Sequence, residues 1–242
     1  MPSPGLSRRA LLGLGLSRVS HQLDDAAAQR RDVVAPAPDL PTLTETQARW
    51  DAARSADGEA VWACVGAELR ALVDELAPGG GADPVVSVFG PQSTLAARAV
   101  IDALFHRAAP GAIVALSVWS TGVIAQLLKA AADLDPLPPG IPGVWGWGSR
   151  ERLRQDLDHH ADEIHYRRRE LRIRAGSVAA AAERLAAAVP ALAAAQERHG
   201  DDALARFAPI VEFYAEPGHD EAGGDSTVRV PVRYLLVAAR RR

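Results

Sequence analysis

The chain has 242 residues, of which 48% are hydrophobic and 24% charged, a balance typical of globular proteins that excludes a wholly disordered chain. A formal net charge of −3 argues against a dedicated nucleic-acid binder, which would carry a basic field. The single cysteine, Cys64, excludes an internal disulfide and a cysteine-based zinc site. No stretch approaches the roughly 18 apolar residues that a membrane span needs, so we expect no membrane partner.

Residues 1–45 are predicted to form an N-terminal arm and a linker. Residues 7–16 (SRRALLGLGL) superficially match a twin-arginine export signal, but the apolar segment is short and Arg18 interrupts it. Residues 32–45 contain three prolines and no periodicity, which indicates a linker. We therefore expect a cytoplasmic protein, with twin-arginine export as the minor alternative, and one folded domain over residues 46–242.

The domain is predicted to open with helices over residues 46–82. A threonine-rich start near residues 44–46 favours a first helix. A second helix is predicted over residues 58–76, because apolar residues recur there at intervals of three and four. They are Val61, Trp62, Val65, Leu69, Leu72, Val73 and Leu76.

The remaining residues, 83–242, alternate between strand and helix patterns. Two short β-branched segments, 83–90 and 112–119, are predicted to be strands buried on both faces, each followed by a helix. This order predicts right-handed parallel crossovers and hence an α/β sheet. The full set of later elements comprises helices over 93–108, 123–134 and 150–160, an edge strand over 163–174, an alanine-rich helical region over 177–214, an exposed turn over 217–226 and a closing antiparallel strand over 227–239.

Four of these segments together carry a family resemblance. Residues 83–90 (DPVVSVFG) and 109–119 (APGAIVALSVW) are similar to the fourth-strand motif and to the turn and fifth strand of class I S-adenosylmethionine-dependent methyltransferases. Residues 137–146 resemble a loop in the small-molecule members of that family, and residues 232–240 resemble the closing strand. The resemblance, which covers roughly residues 46–76 and 83–242, implies a truncated Rossmann-like methyltransferase sheet of about four main strands.

The implied sheet is mixed, with flanking helices, because the family's closing strand inserts antiparallel between the fifth and sixth. We expect the strand order 83–90, 112–119, 227–239, 163–174.

The family's cofactor loop has no counterpart in the chain. Class I methyltransferases hold the cofactor with an acidic-x-Gly-x-Gly loop after the first strand and with an acidic residue at the end of the second strand. Here residues 77–82 lead from the helix directly into the fourth-strand motif. The resemblance implies only a residual cofactor wall of Ser87, Phe89 and Gly90, so we expect no cofactor for the isolated chain.

Trp119, Trp145 and Trp147 are the candidate substrate-binding residues. In the family the loop after the fifth strand helps to cover the acceptor, and flat aromatic rings suit a small planar molecule. The alternative is that Trp119 only packs the end of the sheet and that Trp145 and Trp147 fill the space left by the missing strands.

Other reactive side chains give weaker predictions. His159, His160, Glu163 and His165 are metal-type ligands, but an edge strand over this segment would scatter them, and we expect no metal. Cys64 adjoins the apolar helical stripe and is expected to be inert. His106 and His219 have no identifiable nucleophile partner. The arginines over 167–174 form a basic run in which Glu163 and Glu170 are interspersed, which is typical of a solvated strand edge.

The sequence supports a main hypothesis and two alternatives. The main one is a pseudoenzyme that acts as a small-molecule-binding or partner subunit, either as a homo-oligomer or beside a partner methyltransferase. The first alternative is an active small-molecule methyltransferase that holds S-adenosylmethionine in an atypical or shared site. The second is a non-methylating enzyme that uses the acceptor pocket to orient a reaction.

Overall fold

The structure, a computed structural model, describes residues 46, 48, 56–79, 81–138, 141, 143–218 and 227–242. The twin-arginine motif, the linker, most of the first predicted helix and most of the predicted 217–226 turn, with His219, lie outside the described residues.

The described residues alternate between helices and strands, as the sequence predicts. The helices are α1 Ala56–Leu76, α2 Ala97–Arg107, α3 Val123–Leu134, α4 Arg150–Leu157, α5 Val178–Ala188, α6 Pro190–His199 and α7 Asp201–Tyr214. The strands are β1 Val85–Val88, β2 Ile113–Trp119, β3 Ala161–Ala175, β4 Glu216–Gly218 and β5 Thr227–Arg241. Short 3₁₀ turns cover Gly90–Ser93 and Val144–Gly148.

The strands form one mixed open sheet with flanking helices, an α/β architecture compatible with a Rossmann-like fold. Its order is β1-β2-β5-β3, and the short β4 pairs with β5. β1 and β2 are parallel, whereas β5 is antiparallel to both of its long neighbours. The expected strand order is therefore confirmed.

The sheet holds one strand more than the expected four. β4 falls within a segment that the sequence predicts to be an exposed turn, because Pro217 and Gly218 are turn residues. Proline is nevertheless tolerated in short edge strands, where its missing N–H group breaks no inner ladder.

Each face of the sheet carries its own layer of helices. Residues on one face of β2 and β5, Trp119 and Tyr234 among them, pack against α1, α3 and the alanine-rich helices. The opposite face, which includes Val118 and Leu235, packs against α2 and α4. Every residue of β2 is buried, which confirms the prediction of a strand covered on both faces. The same prediction is wrong for β1, whose four residues are half-buried because it lies at the end of the strand order.

Several boundaries differ from the predicted ones for local reasons. β1 ends at Val88 because Phe89 adopts a left-handed backbone conformation, with φ 51° and ψ 17°. The helix predicted from residue 93 begins only at Ala97, after the 3₁₀ turn. Pro190 opens α6, and Gly200, with φ 53°, separates α6 from α7, so the predicted breaks in the alanine-rich region are confirmed.

No single helix in the described part of the chain is long and apolar enough to cross a membrane. α5 and α6 reach that length and composition only as a pair, and they are bent by 116° relative to each other.

Candidate functional site

The carboxyl ends of β1 and β2 are the place to look for a ligand site, since open α/β sheets bind ligands beyond the carboxyl ends of their parallel strands. Ser87, Phe89 and Gly90 lie at the end of β1, and Trp119 is the last residue of β2. The fold thus brings the expected cofactor wall and one of the expected substrate-binding tryptophans to the same edge of the sheet.

The Phe89 ring at this edge is buried, with 0% of its surface exposed. It stacks on Trp119 with ring centroids 3.5 Å apart and an interplanar angle of 11°, and Tyr234 meets it edge-on at 6.1 Å. The left-handed turn is held by the Phe89 N–H, which donates to Ser117 Oγ at 3.0 Å. Because the ring lies between its neighbours, it reaches no ligand in this conformation.

Ser87 and Gly90 approach each other closely beside this aromatic stack. A Cβ atom added to Gly90 would lie 2.2 Å from Ser87 Oγ, so only glycine fits the turn without displacing the serine. Both residues are half-buried and present only a small surface.

A buried glutamine joins the end of β2 to the segment Val144–Gly148, which contains two tryptophans and is called the tryptophan loop below. Gln92 Nε2 donates to the backbone oxygens of Trp119, at 3.0 Å, and of Val144, at 3.4 Å. Its Oε1 accepts a hydrogen bond from the Trp119 N–H. The side-chain amide therefore pairs with Trp119 as a neighbouring strand would, at the point where Phe89 has turned the chain of β1 away.

The three tryptophans do not converge on one space. Trp119 lies in the core on one face of the sheet, whereas Trp147, 3% exposed, belongs to the core on the other face and has the Arg152 guanidinium 5.4 Å from its ring. Gly148 follows it so closely against β2 that an added Cβ would lie 2.2 Å from the Trp119 oxygen.

Trp145 lines a cavity of about 20 Å³ beside α3 and α6, with Thr46 and Asp135 among its polar neighbours. A water molecule needs roughly 10–15 Å³ measured in this way, so the space suits one water and not a planar molecule.

A buried polar group lies beside the aromatic stack, and the sequence did not predict it. Tyr234, the central residue of a cross-strand row with Trp119 and Arg169, is 1% exposed and faces Glu68 on α1. Burial raises the pKa of Tyr234 far above its ordinary value of 10, and the Glu68 carboxylate raises it further. The Arg169 Nε lies 3.3 Å from Glu68 Oε2 and compensates that carboxylate.

The alternation of apolar residues in β5 places Tyr234 on an inward face. Glu68 is one glutamate among several on α1, so the sequence does not show that it faces Tyr234. With its hydroxyl held in the protonated form, Tyr234 is suited to donate a hydrogen bond and not to abstract a proton.

β3 is an edge strand whose arginines are mostly exposed, as predicted, but two of these arginines also bind α1. Arg167 forms a bidentate pair with Glu75, and Arg169 pairs with Glu68, so two of them attach α1 to the sheet. Cys64, expected to be inert beside the apolar stripe, is exposed on α1, and its inertness stays a prediction.

The metal-type ligands do not gather. His165 bonds to Glu163 at 2.9 Å, whereas His160 bonds to Asp102 on α2 at 2.8 Å. Among the residues that the structure describes, no group of three or more histidine, cysteine, aspartate or glutamate side chains is placed to hold a metal ion.

Comparison of the chain with models of known protein families finds no match, and comparison with curated proteins finds none either. The methyltransferase resemblance therefore stays a prediction from the sequence segments.

Proposed function

We propose that this chain is a methyltransferase-like protein that does not bind S-adenosylmethionine by itself and that acts as a small-molecule-binding or partner subunit. The observation that carries the proposal is the buried stack of Phe89 on Trp119, which fills the edge of the sheet where the family holds its cofactor. A packed aromatic core at this place favours a structural role for residues that, in an active relative, would face a ligand.

The order of the strands supports the methyltransferase part of the proposal. The resemblance implies an antiparallel closing strand inserted between the fifth and sixth strands, and β5 lies antiparallel between β2 and β3. An order of this kind is more specific than the general alternation of strands and helices, which many unrelated α/β proteins share.

The described residues at this edge do not fit S-adenosylmethionine. The cofactor needs backbone donors for its carboxylate and a carboxylate for its ribose hydroxyls, as dinucleotide sites do. The Phe89 N–H already donates to Ser117 Oγ, and Gln92 is fully engaged with β2 and the tryptophan loop. We therefore assign no step of methyl transfer to these residues.

The unpaired side of β1, which is the outermost strand in the order β1-β2-β5-β3, supports the partner-subunit part of the proposal. Among the described strands, Val85–Val88 pairs only with β2, and all four residues are half-buried. An apolar strand with one unpaired edge is a template for another strand. The partner that we propose is a second copy of the chain or a methyltransferase that supplies the missing cofactor site.

Calorimetric titration of the full chain with S-adenosylmethionine tests the first half of the proposal. We expect no binding with a dissociation constant below about 10 μM, because the loss of several polar contacts moves a micromolar ligand towards millimolar. Tighter binding would contradict the proposal and favour the alternative, an active methyltransferase with an atypical site. Phe89→Ala would then weaken that binding if the residual wall takes part.

Light scattering at micromolar protein concentration tests the second half. We expect a species larger than one chain, alone or with a methyltransferase, and a Val86→Lys substitution at the unpaired edge should shift it towards the monomer. Val86 is half-buried, so circular dichroism must first show that the variant is folded. A well-behaved monomer that joins no methyltransferase would contradict the partner role.

A further inference from the structure

A cleft rich in basic nitrogen atoms lies at the opposite end of the sheet from the candidate site. It has a volume of about 210 Å³ and opens where β5 ends and β3 begins. Its lining comprises Phe105, His106, His159, His160, Arg241 and Arg242. No acidic side chain lines the cleft, and five of its six residues carry cationic or protonatable side chains.

Arg241 is held in place while most of its donors stay available. Its backbone is fixed because its N–H donates to Ala112 at 2.9 Å and its oxygen accepts from Gly111 at 3.0 Å. One guanidinium nitrogen donates to the Ala108 carbonyl at the end of α2. A guanidinium carries five N–H groups, so this contact leaves four of them. Among the described residues, no carboxylate lies within ion-pair distance of Arg241.

Two of the imidazoles are also held in fixed orientations. His160 bonds through Nε2 to the Asp102 carboxylate and stacks on Phe105, with ring centroids 4.8 Å apart and an angle of 13°. His106 donates through Nδ1 to the Asp102 carbonyl at 2.7 Å, so Nε2 is an acceptor in the neutral ring and a second donor in the protonated ring.

Two acids lie beside the cleft and bond to residues that line it, Asp102 to His160 and Asp162 to Arg242. Neither carboxylate lies within ion-pair distance of Arg241, so its half-buried guanidinium keeps N–H groups for another acceptor. A guanidinium in a cleft that imidazoles also line favours an anion that accepts several hydrogen bonds at once.

We propose that this cleft binds a phosphoryl group. Its tetrahedral oxygens suit the remaining N–H groups of Arg241 on β5. His106 from α2 and His159 and His160 from the turn before β3 also line the cleft, and an imidazole already bonded through one nitrogen adds an N–H donor there in its protonated form. The cleft is smaller than the roughly 300–1,000 Å³ of sites for drug-sized molecules, so it matches free phosphate or the phosphoryl end of a larger metabolite.

Titration of the full chain with inorganic phosphate, at an ionic strength held constant with sodium chloride, tests the proposal. We expect saturable binding by calorimetry and shifts of the histidine ring signals in the NMR spectrum. Arg241→Gln should weaken phosphate binding by about tenfold or more, as expected when a hydrogen bond from a charged donor is lost. The matched control is Arg206→Gln, which changes an exposed arginine on α7.

His159→Gln keeps the test decisive if Arg241→Gln destabilises the end of α2. His159 lies exposed in a turn, so its replacement leaves the fold intact and should still weaken phosphate binding. Phosphate binding that neither variant changes, or the absence of saturable binding, would overturn the proposal. A phosphate monoester titrated in parallel identifies the source: tighter binding of the monoester indicates a larger metabolite, and equal or weaker binding indicates free phosphate.

Discussion

Replacing Gln92 by alanine should destabilise the protein more than any other exchange of a polar residue at the carboxyl ends of the parallel strands. The side chain is 3% exposed and makes hydrogen bonds with both backbone groups of Trp119 and with the Val144 oxygen. In Gln92→Ala the buried Trp119 N–H group loses its only acceptor among the described residues, and two carbonyl oxygens lose a donor.

The size of the effect follows from these contacts. A buried donor or acceptor left without a partner costs about 1–3 kcal/mol. The orphaned N–H group costs about 1–3 kcal/mol, and each of the two lost hydrogen bonds to a carbonyl oxygen costs about 0.5–1.5 kcal/mol, so the total is about 2–6 kcal/mol. Globular proteins have unfolding free energies of about 5–15 kcal/mol, so the loss is a large fraction of the total.

Urea unfolding monitored by tryptophan fluorescence measures this loss, because Trp119 and the tryptophan loop surround the site. The matched control is Gln126→Ala, which changes an exposed glutamine on α3 and should stay within about 0.5 kcal/mol of the wild type. Gln92→Glu adds a test of orientation. It retains an acceptor for the Trp119 N–H but turns an oxygen towards two carbonyl oxygens, so it should also be destabilised. A Gln92→Ala variant as stable as the control would refute this reasoning.

Three further predictions concern the packing and ion pairs around the sheet. Phe89→Ala should cost about 3–5 kcal/mol in denaturant unfolding and shift tryptophan emission to the red, because the ring is fully buried against a tryptophan; an unchanged spectrum would contradict the stack. Gly148→Ala should cost about 1–3 kcal/mol because its Cβ would meet backbone, whereas Gly146→Ala, which has open space, should be nearly neutral; equal costs would contradict this packing. The hydrogen bond from Arg167 holds the pKa of Glu75 below its ordinary value of 4.5, so the stabilisation by this pair is present above pH 4.5 and is lost as the pH falls through the lower folded-state pKa. Acid unfolding of Glu75→Gln should lack this component, and acid transitions identical to those of the wild type would refute the prediction.

The buried strands and the helical stripe could be predicted from the sequence because each depends on a local pattern. The β-branched run of β2 indicates a strand covered on both faces, and the spacing of Val65, Leu69 and Leu72 indicates one buried face of α1. The strand order was accessible only through the family resemblance, since periodicity does not specify which strands are neighbours.

The candidate site was largely beyond prediction because its contacts join residues that are distant in sequence. Gln92 lies 27 residues from the peptide that it binds, and nothing in its neighbourhood distinguishes it from a surface glutamine. The left-handed turn at Phe89 was missed because a bulky aromatic residue rarely adopts positive φ, and the following Gly-Pro pair indicated a turn one residue later.

The central position of β5 has a consequence for how the molecule reaches its fold. This strand pairs with β2, β3 and β4, yet it follows all of them in the sequence. During synthesis β1, β2 and β3 therefore leave the ribosome before β5. The backbone N–H and C=O groups of β2 and β3 that pair with β5 stay unpaired until β5 follows. Pairings across such sequence distances form slowly and leave strand edges open to aggregation in the meantime. The shortening of β5 by a few residues should thus lower the yield of folded protein far more than its few lost contacts suggest.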